Sequence, residues 1–494
     1  MPDGPTAAAP LHELSVAEAG ALLRAGELTS VELARAALDR IARLDPALHA
    51  FIRVTEETAL ERAAAADREL RAGLDRGPLH GVPYALKDIF DAEGVPTTSA
   101  SRLRDGHLAD ADSTVERRLR DGGAVGLGKL TTFEFAVGGP SFDLPVPPAR
   151  NPWSGDHVPS GSSSGSGAAV AAGLVRVTVG SDTSGSTRGP AFHCGAVGLK
   201  PTYGRVSGHG VQTLSWTLDH FGPLTWTVGD AAAALRVIAG ADPADPRTRT
   251  AGAEVPDYTA VLGRGVAGLR VACSPGWYAE DPATLPEIVT GIERALGVLG
   301  GLGASVEEVA LPPYDVFNAC GRVIFAAEAF ATHEEDLRRR PREFGRYTYQ
   351  RVMPGAGVGA SDLLRAYDVR RWLRRRLDET VFDRYDVLIT VCGQTTAARW
   401  GDFPENWPPP KLANDMQTIP FSVTGHPALS LPIGFAADGL PIGLQIVGRA
   451  FDEATVFRVA AALEAELGQR HRRPPEPAPG PAPEQRPDDT AVVS

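Results

Sequence analysis

The chain has 494 residues, 43% hydrophobic and 22% charged, long enough to bury a large core as a globular protein. Its 61 acidic against 49 basic residues leave a formal charge of −12, which argues against the basic face of a nucleic-acid binder. No apolar run reaches the roughly 18 residues of a transmembrane helix, and MPDGPTAAAPLHELS lacks the regions of a secretory signal, so a cytoplasmic protein is expected. The four cysteines, Cys194, Cys273, Cys320 and Cys392, form no CxxC pair and read as reduced thiols. No HExxH or His/Cys cluster is present, so neither a metal nor another cofactor is expected.

Two amphipathic helices are predicted at the start. The second opens at Thr29, where Glu32 completes a capping box, and carries Leu33, Ala37, Ile41 and Leu44 at helical spacing. Asp45-Pro46 is expected to end it. A third helix is predicted over Glu56 to Gly73. GVPYALKDIF (81–90) and GAVGLGKL (123–130) then read as short buried strands, with the helix TVERRLRDGG between them. Such alternation predicts an α/β sheet. From Asp230 to about Thr380, helices at Leu285 to Leu302 and Ser361 to Thr380 alternate with strands LRVACS (269–274) and SVEEVAL (305–311). Strands return at DVLIT, PALSLPIGF and LPIGLQIVG before a helix near Glu453 to Leu467. One large domain over 11–470 is expected, with a variable helical region at about 242–380. Residues 1–10 form a flexible N-terminus, and the proline-rich 471–494 a disordered tail.

Two serine-rich loops carry the chemistry: VPSGSSSGSGAAVAAG (158–173) and GSDTSGSTRGPAFHCGAVGLKPTYGRVS (180–207). Each places hydroxyls on glycine-rich backbone that can turn sharply and aim several N–H groups at one point. Two local motifs mislead. Gly161-Ser162-Ser163-Ser164-Gly165 matches the GxSxG nucleophile elbow, but SGDHVPSG precedes it where an elbow needs a strand. Gly123 to Lys129 resembles a P-loop, yet Leu130 stands where the Mg²⁺-binding hydroxyl belongs.

With GVPYALKDIF upstream, these loops resemble the amidase signature family, whose members use a Ser–Ser–Lys arrangement. The resemblance runs from about Leu11 to Leu467 and is weakest between Asp242 and Thr380. It implies a mixed, twisted sheet surrounded by helices. The family's "VPxxxKD" lysine falls on Lys87, its bridging serine, preceded by a cis peptide, on Ser162, and its "DxxGSxR" nucleophile on Ser186. The intervals, 75 and 24 residues, match the family's layout without a gap. The resemblance thus implies an amidase: Ser186 attacks the amide carbonyl, forming an acyl-enzyme, and Lys87 acts as base through Ser162. A buried lysine suits that role, because burial disfavours its charged form. Backbone N–H groups of Thr183, Ser184, Gly185 and Ser186 are expected to hold the oxyanion. Asp182 and Arg188 are expected to tie the loop together, with Arg188 also able to face an anionic substrate group, and Ser163 is a candidate extra hydroxyl.

Four features depart from the family's pattern. Ser160 and Ser164 stand where glycine is usual, as does Ser184, whose Cβ disfavours positive φ by roughly 1 kcal/mol. Gly189 replaces an apolar residue, or the glutamine of amidotransferase glutaminase subunits, and 390–402 lacks a "TPT" run. The aromatic residues Trp216, Trp277, Tyr278, Phe325, Trp400 and Trp407 are candidates to border a pocket, with the helix carrying Phe325, Glu328 and Phe330. The expected partner is a small-molecule amide substrate, with no nucleic acid and no membrane, and a homodimer is left open. Rival readings are the glutaminase subunit of a tRNA-dependent amidotransferase, an acyltransferase that forms an amide, and a non-catalytic binding protein.

Overall fold

The computed structural model describes residues 10–252, 254–402 and 416–477. The chain opens with α1 (Val16–Ala25), α2 (Ser30–Leu48), β1 (Phe51–Val54), α3 (Glu56–Arg71) and β2 (Pro83–Lys87). Next come α4 (Thr114–Asp121), β3 (Val125–Leu130), α5 (Ser164–Ala171), β4 (Val177–Asp182), α6 (Arg188–Cys194), β5 (Val197–Lys200), β6 (His220–Thr225) and α7 (Val228–Ile238). β7 (Arg270–Cys273), α8 (Pro286–Gly301) and β8 (Ser305–Glu308) lead to α9 (Tyr314–Arg339), α10 (Arg346–Val352), α11 (Ala360–Leu377) and β9 (Val387–Val391). α12 (Ile419–Thr424), β10 (Ala428–Phe435), β11 (Pro441–Gly448) and α13 (Glu453–Leu467) complete the domain.

The eleven strands among the described residues join one mixed sheet, in the order β1-β3-β2-β4-β6-β5-β10-β11-β9-β7-β8. β2 lies between β3 and β4 and is parallel to both. Its five residues are all buried, as an apolar strand covered on both faces requires. The main core packs helices α1, α4, α7, α8, α9, α11 and α13 against the sheet through residues such as Val228, Ile292, Phe317, Leu373 and Phe457. Among the described residues, no helix is long and apolar enough to cross a membrane.

The Thr29/Glu32 capping box forms on both sides. α2 does not stop at Asp45-Pro46, however, but continues to Leu48 with Pro46 in its last turn. Proline removes one N–H there, yet three local interactions hold the turn. Leu44 and Leu48 are buried, His49 caps the helix in the left-handed conformation by donating its N–H to the Asp45 carbonyl, and the Asp45 carboxylate accepts from the Ala50 N–H at 2.7 Å. The tail also begins differently from expectation. Residues up to 477 pack back on the domain: Arg472 lies over the Phe435 ring at 3.6 Å, and Glu476 pairs with Arg40 and Arg43. Residues 1–9 and 478–494 lie outside the described residues.

Candidate active site

The parallel pairing of β2 with β4 sets Leu86 opposite Val179, so Lys87 and Ser181 emerge together at the C-terminal ends of neighbouring strands. Lys87 Nζ donates to Ser162 Oγ at 2.7 Å and to Ser181 Oγ at 2.8 Å. The lysine is completely buried. That burial pulls its pKa from 10.5 to about 7 against the opposing charges of Asp219 and Asp182. Asp88, its chain neighbour, pairs instead with Lys129 Nζ at 3.3 Å. Lys129, the lysine of the P-loop look-alike, is therefore a buried structural cation, bonded also to the Phe90 carbonyl and Thr97 Oγ1.

The Gly161–Ser162 peptide bond is cis. Gly161 leaves no room for a side chain, since a Cβ there would stand 2.0 Å from the Phe133 ring. Ser163 leads into α5 and links the two serine loops, its N–H donating to the Ser186 carbonyl at 3.2 Å. The Ser163 hydroxyl donates to the Ser181 carbonyl at 3.3 Å, which ties it to the loop rather than to Lys87. Ser186 is largely buried and lines a cavity of about 370 Å³. Its Oγ makes no hydrogen bond among the described residues, so the Ser162–Ser186 contact is not closed in this state. Lys87 and Ser162 do not line the cavity and lie behind its wall.

Asp182 organises the second loop. It accepts from the N–H groups of Gly185, Thr187 and Arg188, and from Arg188 Nε and Nη2 at 2.9 and 2.8 Å. Burial alone would raise its carboxyl pKa, but the Arg188 ion pair outweighs that and holds it below the ordinary range. Arg188 is itself fully buried, reaching Gln445 and Ser422, and does not line the cavity. It therefore cannot face a substrate anion as the sequence allowed. The Gly185 N–H is also committed to Asp182, at 2.7 Å. The Ser184 and Ser186 N–H groups make no such bond among the described residues. Ser184 does not take the positive φ that its Cβ would resist. Gly185 carries it instead, at +130°, with its missing Cβ making room for Thr418 Oγ1.

Of the aromatic candidates, Phe325 on α9 lines the cavity. Trp277 and Tyr278 belong to the core, and Trp216 is exposed. Trp400 packs against Phe142, while Trp407 lies outside the described residues. Glu328 accepts from Ser215, Thr217 and Tyr367 and so braces α9. Four cavity residues carried no motif that could have announced them: Tyr314, Asn318, Arg322 and Arg351. His193 also lines the cavity, its imidazole pushed down to about 4 by burial and thus neutral. No group of His, Cys, Asp and Glu among the described residues is arranged to hold a metal ion.

A mixed sheet that brings a buried, low-pKa lysine and a hydroxyl pair behind a serine-lined cavity is the architecture of an amide-cleaving serine enzyme. The chain belongs to the amidase family, whose model matches residues 32–457, and it is an amide-hydrolysing enzyme. It is 40% identical to a glutamyl-tRNA(Gln) amidotransferase subunit of Chloroflexus aggregans, over 94% of this chain and 98% of the relative. Among solved structures, a peptide amidase from Stenotrophomonas maltophilia superposes with a TM-score of 0.81 at 34% identity, covering 95% of this chain and 100% of that one. A chain from a structure described as a vestigial protein complex that reveals the evolutionary origins of an s-triazine catabolic enzyme superposes at 0.85 with 33% identity, covering 92% of this chain and 98% of that one. The expectation of a small-molecule amide substrate, with a homodimer left open, is corrected by these relatives: one is named as a subunit and another is described with a protein complex.

Proposed function

We propose that Ser186 is the nucleophile of a carboxylic-amide C–N hydrolase, with Lys87 as general base acting through Ser162. The observation that carries this reading is the buried Lys87 amine, 2.7 Å from Ser162 Oγ and with a pKa brought to about 7. A neutral amine accepts the Ser162 proton as Ser162 accepts that of Ser186, and Ser186 Oγ bonds to the amide carbon. The carbonyl oxygen becomes an oxyanion held by the Ser184 and Ser186 N–H groups. The proton returns through Ser162 to the departing nitrogen, the C–N bond breaks, and water hydrolyses the acyl-enzyme. Asp182 and Arg188 hold the loop in shape throughout. The folded unit for this work is the single domain over 11–470, with 471–477 packed back against it, in the cytoplasm.

As to what the enzyme serves, the reading as one component of an amidotransferase is better supported than a free-standing hydrolase. The support is 40% identity that spans nearly the whole of both chains. In that reading the chain is the glutaminase component of a tRNA-dependent amidotransferase and passes the released ammonia to a protein partner. Gly189, in place of the usual glutamine, is the feature that counts against it.

The test is intact-mass spectrometry after treatment with a fluorophosphonate, followed by peptide mapping and an ammonia-release assay on glutamine and on simple amides. One adduct, on Ser186 and absent from Ser186→Ala, with amide cleavage, upholds the chemistry. An adduct on Ser163, or none, overturns the assignment. Co-purification of the chain from its native host with a stoichiometric protein, and ammonia release that the protein accelerates, upholds the amidotransferase reading. Full activity of the isolated chain on amides other than glutamine sinks it.

A further inference from the structure

Gly189 and His193 stand four residues apart on α6, one helical turn, and so share a face. Side chains so spaced are neighbours, with roughly 5–6 Å between Cβ positions, which an imidazole can span. The space where a side chain at 189 would begin is bounded by Ser160 Oγ at 2.8 Å and Met416 Cε at 3.5 Å. Ser160, Met416 and His193 all line the cavity onto which Ser186 opens. Ser160 Oγ makes no hydrogen bond among the described residues. Its backbone holds a φ of 65°, where glycine would be unstrained, so a hydroxyl is kept here against the preference of the chain.

His193 is 8% exposed, and neither of its ring nitrogens has a hydrogen-bond partner among the described residues. The Thr395 carbonyl lies near enough to favour a proton on the ring, yet it completes no hydrogen bond with it. Phe192 packs edge-on with 5.0 Å between ring centroids, and the Asn151 amide donates to the His193 carbonyl at 3.0 Å, so ring and backbone are both held in place. An imidazole buried in this way forgoes the hydrogen bonds it would make in water, and a bound group can restore them. Being neutral, it offers one N–H donor and one bare nitrogen, while Ser160 adds a hydroxyl that both donates and accepts. The space at 189 selects the ligand atom. A carbon 2.8 Å from Ser160 Oγ is a clash, whereas an oxygen in the same place makes a hydrogen bond of ordinary length. Ser160, Met416 and a neutral His193 give a charged group no counter-ion, so the matching ligand is an uncharged hydroxyl.

We propose that Ser160 and His193, across the space left by Gly189, form a specificity subsite for a hydroxyl group on the substrate, so that the enzyme takes hydroxyl-bearing amides in preference to their alkyl counterparts. This rests on the reading of Ser186 as the nucleophile, and the experiment separates the two. The probes are pairs that differ only in hydroxyl for methyl. γ-Hydroxybutyramide against valeramide places the group on the acyl side, and N-hydroxyethyl butyramide against N-propyl butyramide places it on the amine side. Their kcat/KM values are measured on the full chain, on His193→Phe and His193→Gln, and on Ser160→Gly, a change that this φ accommodates without strain. Binding of the same probes is measured by calorimetry on Ser186→Ala, alone and with Ser160→Gly.

In one of the two pairs the hydroxyl member is expected to bind and react about 10-fold better, and that pair tells which side of the amide meets the subsite. Ser160→Gly and His193→Phe should each bring the ratio toward unity, whereas His193→Gln, which keeps a donor and an acceptor, should recover part of it. Ratios near unity for both pairs on the full chain, or a ratio that either Ser160→Gly or His193→Phe leaves unchanged, overturn the proposal. Hydroxyl-selective binding to Ser186→Ala, with no turnover by the parent, upholds the subsite while counting against the nucleophile.

Discussion

Ser160 Oγ lies 2.8 Å from the position that a Cβ on Gly189 would occupy. Two departures from the family's pattern, 29 positions apart in sequence, thus share one space. Ser160 holds a left-handed φ of 65° that glycine would adopt without strain, and its hydroxyl stands where a side chain at 189 would begin. Substituting Gly189→Gln alone should overpack this corner, lower Tm and cost about 1–3 kcal/mol. Adding Ser160→Gly should restore most of the loss. A double-mutant cycle on Tm and kcat/KM checks this, and strict additivity would refute the coupling.

The titration of Lys87 fixes the sign of two pH effects. With its pKa brought to about 7, the amine is protonated and unable to act as base on the acid side, so kcat/KM should rise through that pH to a plateau. Lys87→Ala should lose about 10²–10⁴-fold and the acid limb with it. For stability, the unfolded chain binds a proton that the folded chain lacks between about 7 and 10.5, so this lysine makes stability increase with pH across that window. Comparing urea midpoints of Lys87→Met and the parent at both ends of the window tests the sign: the parent should gain relative to the variant as pH rises.

Ser181 is the second hydroxyl on Lys87, at 2.8 Å, and lies outside the site that the motifs define. Its oxygen accepts from the amine and favours the charged form, so Ser181→Ala should shift the acid limb to lower pH while the loosened amine costs roughly 10-fold in kcat. An unchanged pH profile with the same kcat would mean that Ser162 alone positions the amine.

Asp182 is buried against a buried arginine, and removing its charge leaves Arg188 without its counter-ion. Asp182→Asn should destabilise the fold by about 3–5 kcal/mol, because an unpaired charge remains out of water. Thermal unfolding measures this directly. Retention of the parental Tm would show that Gln445 and Ser422 suffice for Arg188.

Helix α2 shows how much of the fold was legible, and where legibility stopped. Its start was readable because a capping box involves residues three apart, and the apolar stripe needs no more than a few turns of chain. Its end was not, because Pro46 is tolerated only through the burial of Leu44 and Leu48 and the Asp45 bonds to the next strand. Of the strands that carry the site, β2 was legible as a short apolar run, whereas β4, whose end lies in the second serine-rich stretch, was not, and neither was their adjacency. Lys87, Ser162 and Ser186 could be named because each sits in a motif that resembles the amidase signature. Arg322 and Arg351 could not, since an arginine on an amphipathic helix reads as a solvated charge until the cavity beside it is known.

The sequence by itself determined the interactions of short range: helix starts, buried strands, glycine-rich turns and the hydroxyls they carry. Tertiary structure alone decided which of those groups meet. Ser181 reaches Lys87 across 94 residues because β4 pairs in parallel register with β2. Asp88 takes Lys129 rather than its own neighbour because β3 lies on the other side of β2. Arg322 and Arg351 come to line one cavity because α9 and α10 pack toward the nucleophile loop. Capping and periodicity act over three or four residues of chain, whereas strand order and register act through space, and one residue's slip in register would turn each of these side chains to the opposite face.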